Sequence, residues 1–599
     1  MKRSLFAVVC AGLLSIAPGE AAAYQAAQGP TETRLWDPTR AFDGYTLFAA
    51  HGKTYLVDMA GRVVHQWNVG TNPKLLEDGS ILDASKDDPS GFGGFQRVDW
   101  DGKVVWEYTE SRKDYAPHHD FVRTYNKKLS AWTTMYIANR TITQDQAIGV
   151  GADPANGPYD GAQVDAIVEV DDSGTVVWEW WFLDHVVQTV APDKSTYAGV
   201  GKTVADWPGR LDVNLPGRPL RKDWLHCNSM DYNEDLDQVV INAVQGEFVV
   251  VDHGNTFVAG DPAASIALAA GPKGDFLYRY GDPARYERGE PPSIPDNWTT
   301  SSSGHKQIGG AHDIHWIRPG LPGAGHFLVF NNGQYLFEAT NQSYADEIAP
   351  FLDKSKTDTG QYVDPPSAGY TVYEGPKDQG KPKRNLSNQL TWRYGSLSPS
   401  GMASHIGGSA QRLPNGNTLI CADTEGHFLE VTAGDADHAP ELVWEYISPV
   451  TKDLGALRTM PDAIPMLNSV FRAYRFAKDD PAFSGKTLTA GPTITGADPF
   501  SADAGAPAAD AGSPGADAGS SGCGGASAGS PDAAAPDAGG AVGTTGPGGV
   551  CMCPDSCGGC RTSGSGSGAG GALLALVASA LLLATRAARG RGGASRDDR

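Results

Sequence analysis

The chemistry in this chain is concentrated in its histidines. There are fourteen in 599 residues, and imidazole is the side chain able to act near neutral pH as base, acid or nucleophile. Several stand in polar company: HHDF at 118–121, DH at 184–185, DWLHCNSMDYN at 223–233, DH at 252–253, GGAHDIHW at 309–316 and SHIGGSAQRL at 404–413. His226, two residues from Asn228, and His405, in a Gly-rich turn directly before an apolar strand phrase, are the most pointed. His118 and His119 leave two readings open, a loop cap or a contact to substrate. His185 and His253 each follow an aspartate and read as structural hydrogen-bonding pairs, and His427 in GHFLEV reads as blade packing. His312 and His315 look like a metal pair, but a spacing of three on a strand sends them to opposite faces. No Cys or acidic partner has suitable spacing, so no metal site is expected.

Such scattered groups act together only if a fold gathers them. Six phrases point to one: VVHQW (63–67), VVWEY (104–108), VVWEW (176–180), FLYRY (276–280), LTWRY (390–394) and LVWEY (442–446). Aromatics two apart on a strand share a face. Three copies follow Asp-containing turns in which Gly61, Gly102 and Gly174 can take the positive φ of a hairpin. Six hairpin units at wide spacing predict an all-β fold, a six-bladed β-propeller, whose connecting loops converge on a central channel. The stretches 186–224 and 341–388, rich in Pro, Gly and Lys, are expected to be rim loops, not a further domain. Trp132, Trp181 and Tyr335 could stack on an aromatic substrate or simply pack a blade.

The ends are different in kind. Lys2 and Arg3, an apolar run and Ala21 to Ala23 predict a signal peptide over 1–23. The propeller is assigned to 24–496. Residues 497–550, rich in Ala, Gly, Asp, Pro and Ser, hold too few large apolar side chains to offset chain entropy and read as a disordered linker. Residues 551–599 hold CMCPDSCGGC, an apolar run expected to form a transmembrane helix, and an Arg-rich end. This tail resembles the myxobacterial C-terminal sorting signal, which implies export, surface anchoring through the membrane helix and a sorting protease acting at the Cys motif. Cys227 and Cys421 either pair or lie buried as thiols. The net charge of −22 and the lack of basic runs argue against nucleic acid as a partner.

Taken in order, DWLHCNSMDYNEDLDQVVIN (223–242), FLYRYGDPARYERG (276–289), GGAHDIHWIRPGLPGAGHFLVFNNG (309–333) and SAQRLPNGNTLICADTEGHFLEV (409–431) resemble the bacterial arylsulfotransferase family. YLVDMAGRVVHQW (55–67) fits the same pattern, and the resemblance spans roughly residues 44–476. It implies a six-bladed propeller that moves a sulfo group from a phenolic sulfate ester to another phenol, without a nucleotide donor or other cofactor, by way of a sulfated histidine. On the matching positions it implies His405 as nucleophile, His226 as proton-transfer group and His312 as a group that steadies the donor or protonates the departing phenolate. Asn331 and Asn332 are expected near the sulfuryl oxygens, and Asn228 and His119 near the substrate. The chain departs from the pattern at Gly333, where an arginine is expected. That loss removes a cation from the place where charge develops on the sulfuryl group. Two other classes fit the same residues: a non-catalytic binding propeller, and an aryl sulfatase using water as acceptor. A quinone-dependent dehydrogenase, also a propeller, is more distant.

Overall fold

The computed structural model describes residues 29–496 apart from short stretches at 86–92, 216–219, 244–245, 292–303, 334–342, 353–361, 363–369, 374–383, 396–401, 436–437, 453 and 461–466. The expected signal peptide, linker and sorting tail, and Tyr335, lie outside the described residues. No helix among the described residues is long and apolar enough to cross a membrane.

Six antiparallel sheets form the blades. The first blade is Gly44–Ala50, Lys53–Val57 and Val63–Trp67, completed at its inner edge by Ala473–Ala477 from the other end of the fold. The second holds Lys74–Leu75, Ile81–Ala84, Gly94–Val98 and Val104–Thr109; the third Tyr115–Asn126, Ala131–Ile142, Ala162–Asp171 and Val176–Trp181. The fourth holds Cys227–Asn233, Gln238–Ala243, Glu247–Asp252 and Tyr278–Tyr280; the fifth His312–Trp316, Phe327–Asn331, Tyr344–Ile348 and Leu390–Tyr394. The sixth is Ser409–Arg412, Thr418–Ala422, His427–Val431 and Leu442–Ile447, and Glu32–Trp36 adds a fifth strand at its outer edge. Both ends of the fold are therefore tied into sheets, one at an inner edge and one at an outer edge.

Every aromatic phrase lies on the fourth strand of its blade, counted outward from the axis. In the first three blades a side chain shapes the turn that leads into it. Asp58 Oδ1 accepts from the backbone N–H of Ala60 (3.0 Å) and Arg62 (2.9 Å), and Asp99 and Asp171 repeat the arrangement. Gly61 stands at φ +80°, in the left-handed region open to glycine. In five blades the register slips by one residue at the second position of the phrase, as where Val57 faces Val63 and Leu56 faces His65. This recurrent bulge twists the outer strand while keeping its aromatics paired to the sheet.

Strand alternation divides the core into clusters between neighbouring blades. Leu47 and Leu56 face the second blade with Ile81 and Val98, while Phe48 and Tyr55 face the sixth with Phe428 and Trp444. In the fifth blade Leu328 and Phe330 pack on Ala410 and Ile420 of the sixth, whereas Phe327 points back to Phe248 of the fourth. Each sheet is thus apolar on both faces, which explains the near-continuous hydrophobic runs. Truncating fully buried Trp444 to Ala is expected to cost about 3–5 kcal/mol. Cys227 and Cys421 are buried free thiols.

One expectation about the rim needs correction. Residues 341–388 are not all loop, because Tyr344–Ile348 is the third strand of the fifth blade, paired on both sides. Its sequence, YADEI, carries acidic residues because Asp346 and Glu347 bind Arg393 and Arg412. By contrast, the described residues of 186–224 hold turns, a short 3-10 helix at Val204–Asp206, a bridge between Gln188 and Tyr197 and a two-residue parallel pairing of Val186–Val187 with Leu211–Asp212.

Candidate active site

Inner strands have an unpaired edge facing the channel, and polar side chains cap those backbone groups. Asp120 accepts from Met230 N (3.1 Å), Ser229 from Ile314 N (3.1 Å), Asp231 from Trp316 N (3.1 Å), Asp313 from Ala410 N (3.2 Å) and Ser409 from Ala473 N (3.1 Å). Each link joins one blade to the next. The polar residues around the axis are therefore first of all a closure device.

On that frame sits a charged hub. Arg472, 3% exposed, donates to Asp120 (2.9 Å) and to the Asn228 carbonyl (3.2 Å), and its Nε lies 3.4 Å from Asp313. Lys74 Nζ lies 3.0 Å from Asp120, and the Tyr474 hydroxyl donates to Asp313. Counting Met230 and Ala410, all six blades supply a member. Two cations meet two carboxylates, so burying the group leaves no uncompensated charge. Burial opposes ionisation of Asp120, yet Arg472 and Lys74 hold its pKa below the ordinary value.

Beside the hub stand four imidazoles. His226 Nδ1 lies 2.5 Å from Asp223 Oδ2, and His119 meets His226 edge to face with ring centres 4.6 Å apart. His118 Nδ1 and His119 Nδ1 are 2.8 Å apart, and His118 Nε2 is 3.1 Å from Asp165. His119, Asp223 and His226 all have positive φ (56°, 57° and 53°), so backbone strain is tolerated where these groups converge. His312 is held at both nitrogens: Nδ1 donates to Asn332 Oδ1 (2.7 Å) and Nε2 accepts from Gly407 N (3.2 Å).

The electrostatics separate these rings. Burial, helped by Arg472 and His226, lowers His312 to about 3. Burial and the neighbouring imidazoles His118, His226 and His312 also hold His119 well below the usual histidine value. Burial works the same way on His226, but the Asp223 carboxylate outweighs it and raises the pKa. The site thus pairs neutral imidazoles with one prepared to carry a proton. Of the two roles expected of His312, steadying the donor or protonating the departing phenolate, the second would need a proton on Nε2, which here accepts from Gly407 N.

His405 is exposed, on the tight loop that closes over His312. The backbone on either side is pinned: Asn332 Nδ2 donates to the carbonyls of Ser404 (2.8 Å) and Gly407 (2.9 Å), and Ser343 exchanges hydrogen bonds with Ser404. Gly407 and Gly408 have φ +59° and +106°, and a Cβ on Gly407 would overlap Asp423 at 1.7 Å. The two glycines of SHIGG are therefore required by the turn itself.

The three asparagines are engaged by the protein. Asn228 Nδ2 donates to the Ala311 carbonyl, and Asn331 bridges Gln307, Asp346 and the N–H groups of Gly309 and Gly333. Asn332 holds His312 and its loop. They shape the site from behind. Trp181 is buried beneath Arg140, whereas Trp132 is exposed on the third blade beside Tyr125. His312 and His315 flank a register slip, and among the described residues no group of three or more His, Cys, Asp or Glu is placed to hold a metal ion.

Sequence reasoning overlooked Lys74, Asp120, Asp223, Asp313 and above all Arg472. The signal was there in FRAYRF (471–476), where Arg472 and Tyr474, two apart, fall on one face. Gly333, where an arginine is expected, instead takes φ +73°. The guanidinium beside the imidazoles comes from the closing strand, at the far end of the fold in sequence.

The arylsulfotransferase (ASST) family profile matches residues 42–355. The chain belongs to the arylsulfotransferase family. The matched span carries His119, His226 and His312 and stops before His405. Solved structures similar to this arylsulfotransferase family member include a protein of unknown function from Bacteroides caccae, with 10% identity over 73% of this chain and 100% of that one, TM-score 0.33. Hydrazine synthase from Kuenenia stuttgartiensis has 10% identity over 64% of this chain and 71% of that one, TM-score 0.27. Virginiamycin B lyase from Staphylococcus aureus with quinupristin has 9% identity over 75% and 95%, TM-score 0.27. No match is found among curated proteins.

Proposed function

We propose that this protein transfers a sulfo group from a phenolic sulfate ester to a phenol through a sulfated His405. One observation carries the reading: an exposed imidazole stands on a loop fixed at both sides, and the residues that fix it, His312 and Asn332, belong to the same cluster as His119 and His226. A nucleophile held in one geometry saves the entropy of aligning it for attack. His405 attacks sulfur as the S–O bond breaks, and the leaving phenolate takes a proton from His226, whose raised pKa suits an acid at neutral pH. His312 orients the loop. Arg472, fixed by Asp120 and Asp313, supplies positive potential near the site in place of the arginine absent at Gly333. Splitting the transfer into two steps lets one pocket serve donor and acceptor in turn.

Intact-protein mass spectrometry after exposure to a chromogenic aryl sulfate tests this directly. The wild type is expected to gain one sulfo group, which added phenol removes. His405→Ala is expected to lose the adduct and at least about 10³-fold in transfer rate with unchanged circular dichroism. An adduct that survives in His405→Ala overturns the assignment, and phenol release without any acceptor favours hydrolysis. We also propose export and surface anchoring, from residues 1–23 and 551–599. Recovery of the full chain in the cytosolic fraction would end that reading.

A further inference from the structure

We infer that Asp423 is a positioning residue for His405: its carboxyl clamps the loop that carries the imidazole to the segment that closes the first blade. This rests on the sulfo-transfer reading above and adds the residue that fastens its nucleophile from the sixth blade.

Asp423 opens the short 3-10 turn Asp423–Glu425, directly after the strand Thr418–Ala422, and is 3% exposed. On one side the turn meets the His405 loop. Thr424 N donates to Ser404 Oγ (3.1 Å), Thr424 Oγ1 donates to the Ala403 carbonyl (3.2 Å), and Ser404 Oγ donates to the Ile406 carbonyl (2.6 Å). Asp423 Oδ2 lies against the bare Cα of Gly407, the position where a Cβ would overlap it. On the other side the turn meets the closing segment. Asp423 Oδ1 accepts from the Ser469 hydroxyl, and the Asp423 carbonyl accepts from Val470 N (3.1 Å). The Glu425 carbonyl accepts from Asn468 Nδ2 (2.8 Å), and Gly408 N donates to the Phe471 carbonyl (3.0 Å). A single carboxyl thus bridges the nucleophile's loop and the chain that leads into Arg472.

No cation attends this carboxyl. Gly407 faces it from the loop, with its own N–H going to His312. Ser469 and Val470 face it from the closing segment, and the buried Cys421 thiol, which the carboxylate helps to push up, lies two residues before it. Burial outweighs the hydrogen bonds from Ser469 and Val470 and raises the acid from 3.8 to about 7. Asp120 is as deep but has Arg472 and Lys74 beside it. A raised pKa in an acid means that the folded chain favours the neutral form. The stabilisation is therefore full below about 3.8 and is lost as pH rises through about 7. Contact and hydrogen bonding do the holding, and ionisation weakens it.

The test compares Asp423→Ala with Asp423→Asn, which keeps an acceptor for Ser469 and the contact with Gly407. In hydrogen exchange of the full chain, Asp423→Ala is expected to speed exchange over 403–408 about tenfold, and Asp423→Asn less than about threefold. The Tm of Asp423→Asn relative to the wild type is expected to rise by at least about 2 °C between pH 5 and pH 8, because an amide cannot ionise. In stopped-flow with a chromogenic aryl sulfate, the first-turnover burst is expected to slow about 10²-fold in Asp423→Ala. The donor concentration giving half the maximal burst rate is expected to change less than about threefold, since the loop orients the nucleophile and not the donor. Asp423→Asn at pH 6 is expected to stay within about threefold of the wild-type burst. Unchanged exchange over 403–408 or an unslowed burst in Asp423→Ala overturns the proposal, as does a relative Tm that ignores pH. An Asp423→Asn burst as slow as that of Asp423→Ala overturns it too, by making charge the active feature. Should Asp423→Ala fail to fold, Ser469→Ala replaces it, with exchange over 403–408 expected to speed about threefold and unchanged exchange overturning the clamp. A wild type that gives no burst, while exchange and melting behave as expected, sinks the sulfo-transfer reading and leaves the clamp standing.

Discussion

Two sets of histidines in this molecule are drawn in from solvent and behave oppositely. Within the blades, His253 is gripped by Asp237 (2.5 Å) and Glu169 (3.0 Å), and His427 lies between Glu445 (2.8 Å) and Glu425 (3.9 Å). Burial disfavours charge in both, yet a pair of carboxylates raises each to about 9. In the channel, His312 has an amide and a backbone N–H for partners, and His119 has other imidazoles around it. Burial prevails there and both stay neutral. Depth therefore does not decide the state of a histidine in this fold; the company of carboxylates does. The two blade histidines each have a pair of them, His226 has Asp223 in direct contact, and His312 and His119 lean on amides and on other imidazoles.

The largest test of this contrast is at Arg472, which helps keep His119 and His312 neutral. Arg472→Gln is expected to cost about 3–5 kcal/mol in urea denaturation, because Asp120 and Asp313 lose their buried counterion. An unchanged midpoint would mean that the hub is solvated. Asp223→Asn removes the carboxylate that sets His226 apart. The protonated acid is lost as pH rises through its folded pKa, so the alkaline limb of the kcat profile is expected to move to lower pH. Above that limb, kcat is expected to fall about tenfold for each pH unit that the limb moves. A limb that stays in place would mean His226 is not the acid. The smallest effect belongs to His253→Gln. In the wild type, the raised pKa gives a stabilisation that is full below about 6.5 and is lost as pH rises through about 9. The variant is expected to show a lower Tm at pH 6 and a flatter decline between pH 7 and 9, with the kcat profile unmoved. A Tm that responds identically to pH in both proteins would contradict the ion-pair account.

The outer strands were legible because each carries paired aromatics and, in three blades, an Asp–Gly turn formed by nearby residues. The inner strands were not. Lys74–Leu75 is two residues long, His312–Trp316 breaks register within itself, and Ala473–Ala477 finds its partner strand at Gly44–Ala50, across almost the whole fold. The site divided along the same line. That histidines beside polar residues would matter could be read from the sequence alone, but their partners could not. His185 binds Asp275 (2.9 Å), not adjacent Asp184, and His253 passes over adjacent Asp252 for Asp237 and Glu169. Neighbours on a strand point to opposite faces, so the residue next in sequence is seldom the one in contact. Asp223 and His226 are an exception, paired across a turn of four residues.

Ring closure by Ala473–Ala477 also sets an order of events. The strand that completes the first blade brings Arg472 and Tyr474 to the axis, so sealing the ring and completing the charge at its centre happen together. A nascent chain that has made five blades and three strands of the first still lacks the guanidinium that bridges Asp120 and Asp313. The central guanidinium arrives with the final strand, and a polypeptide released early would be open-edged and would leave Asp120 and Asp313 without it.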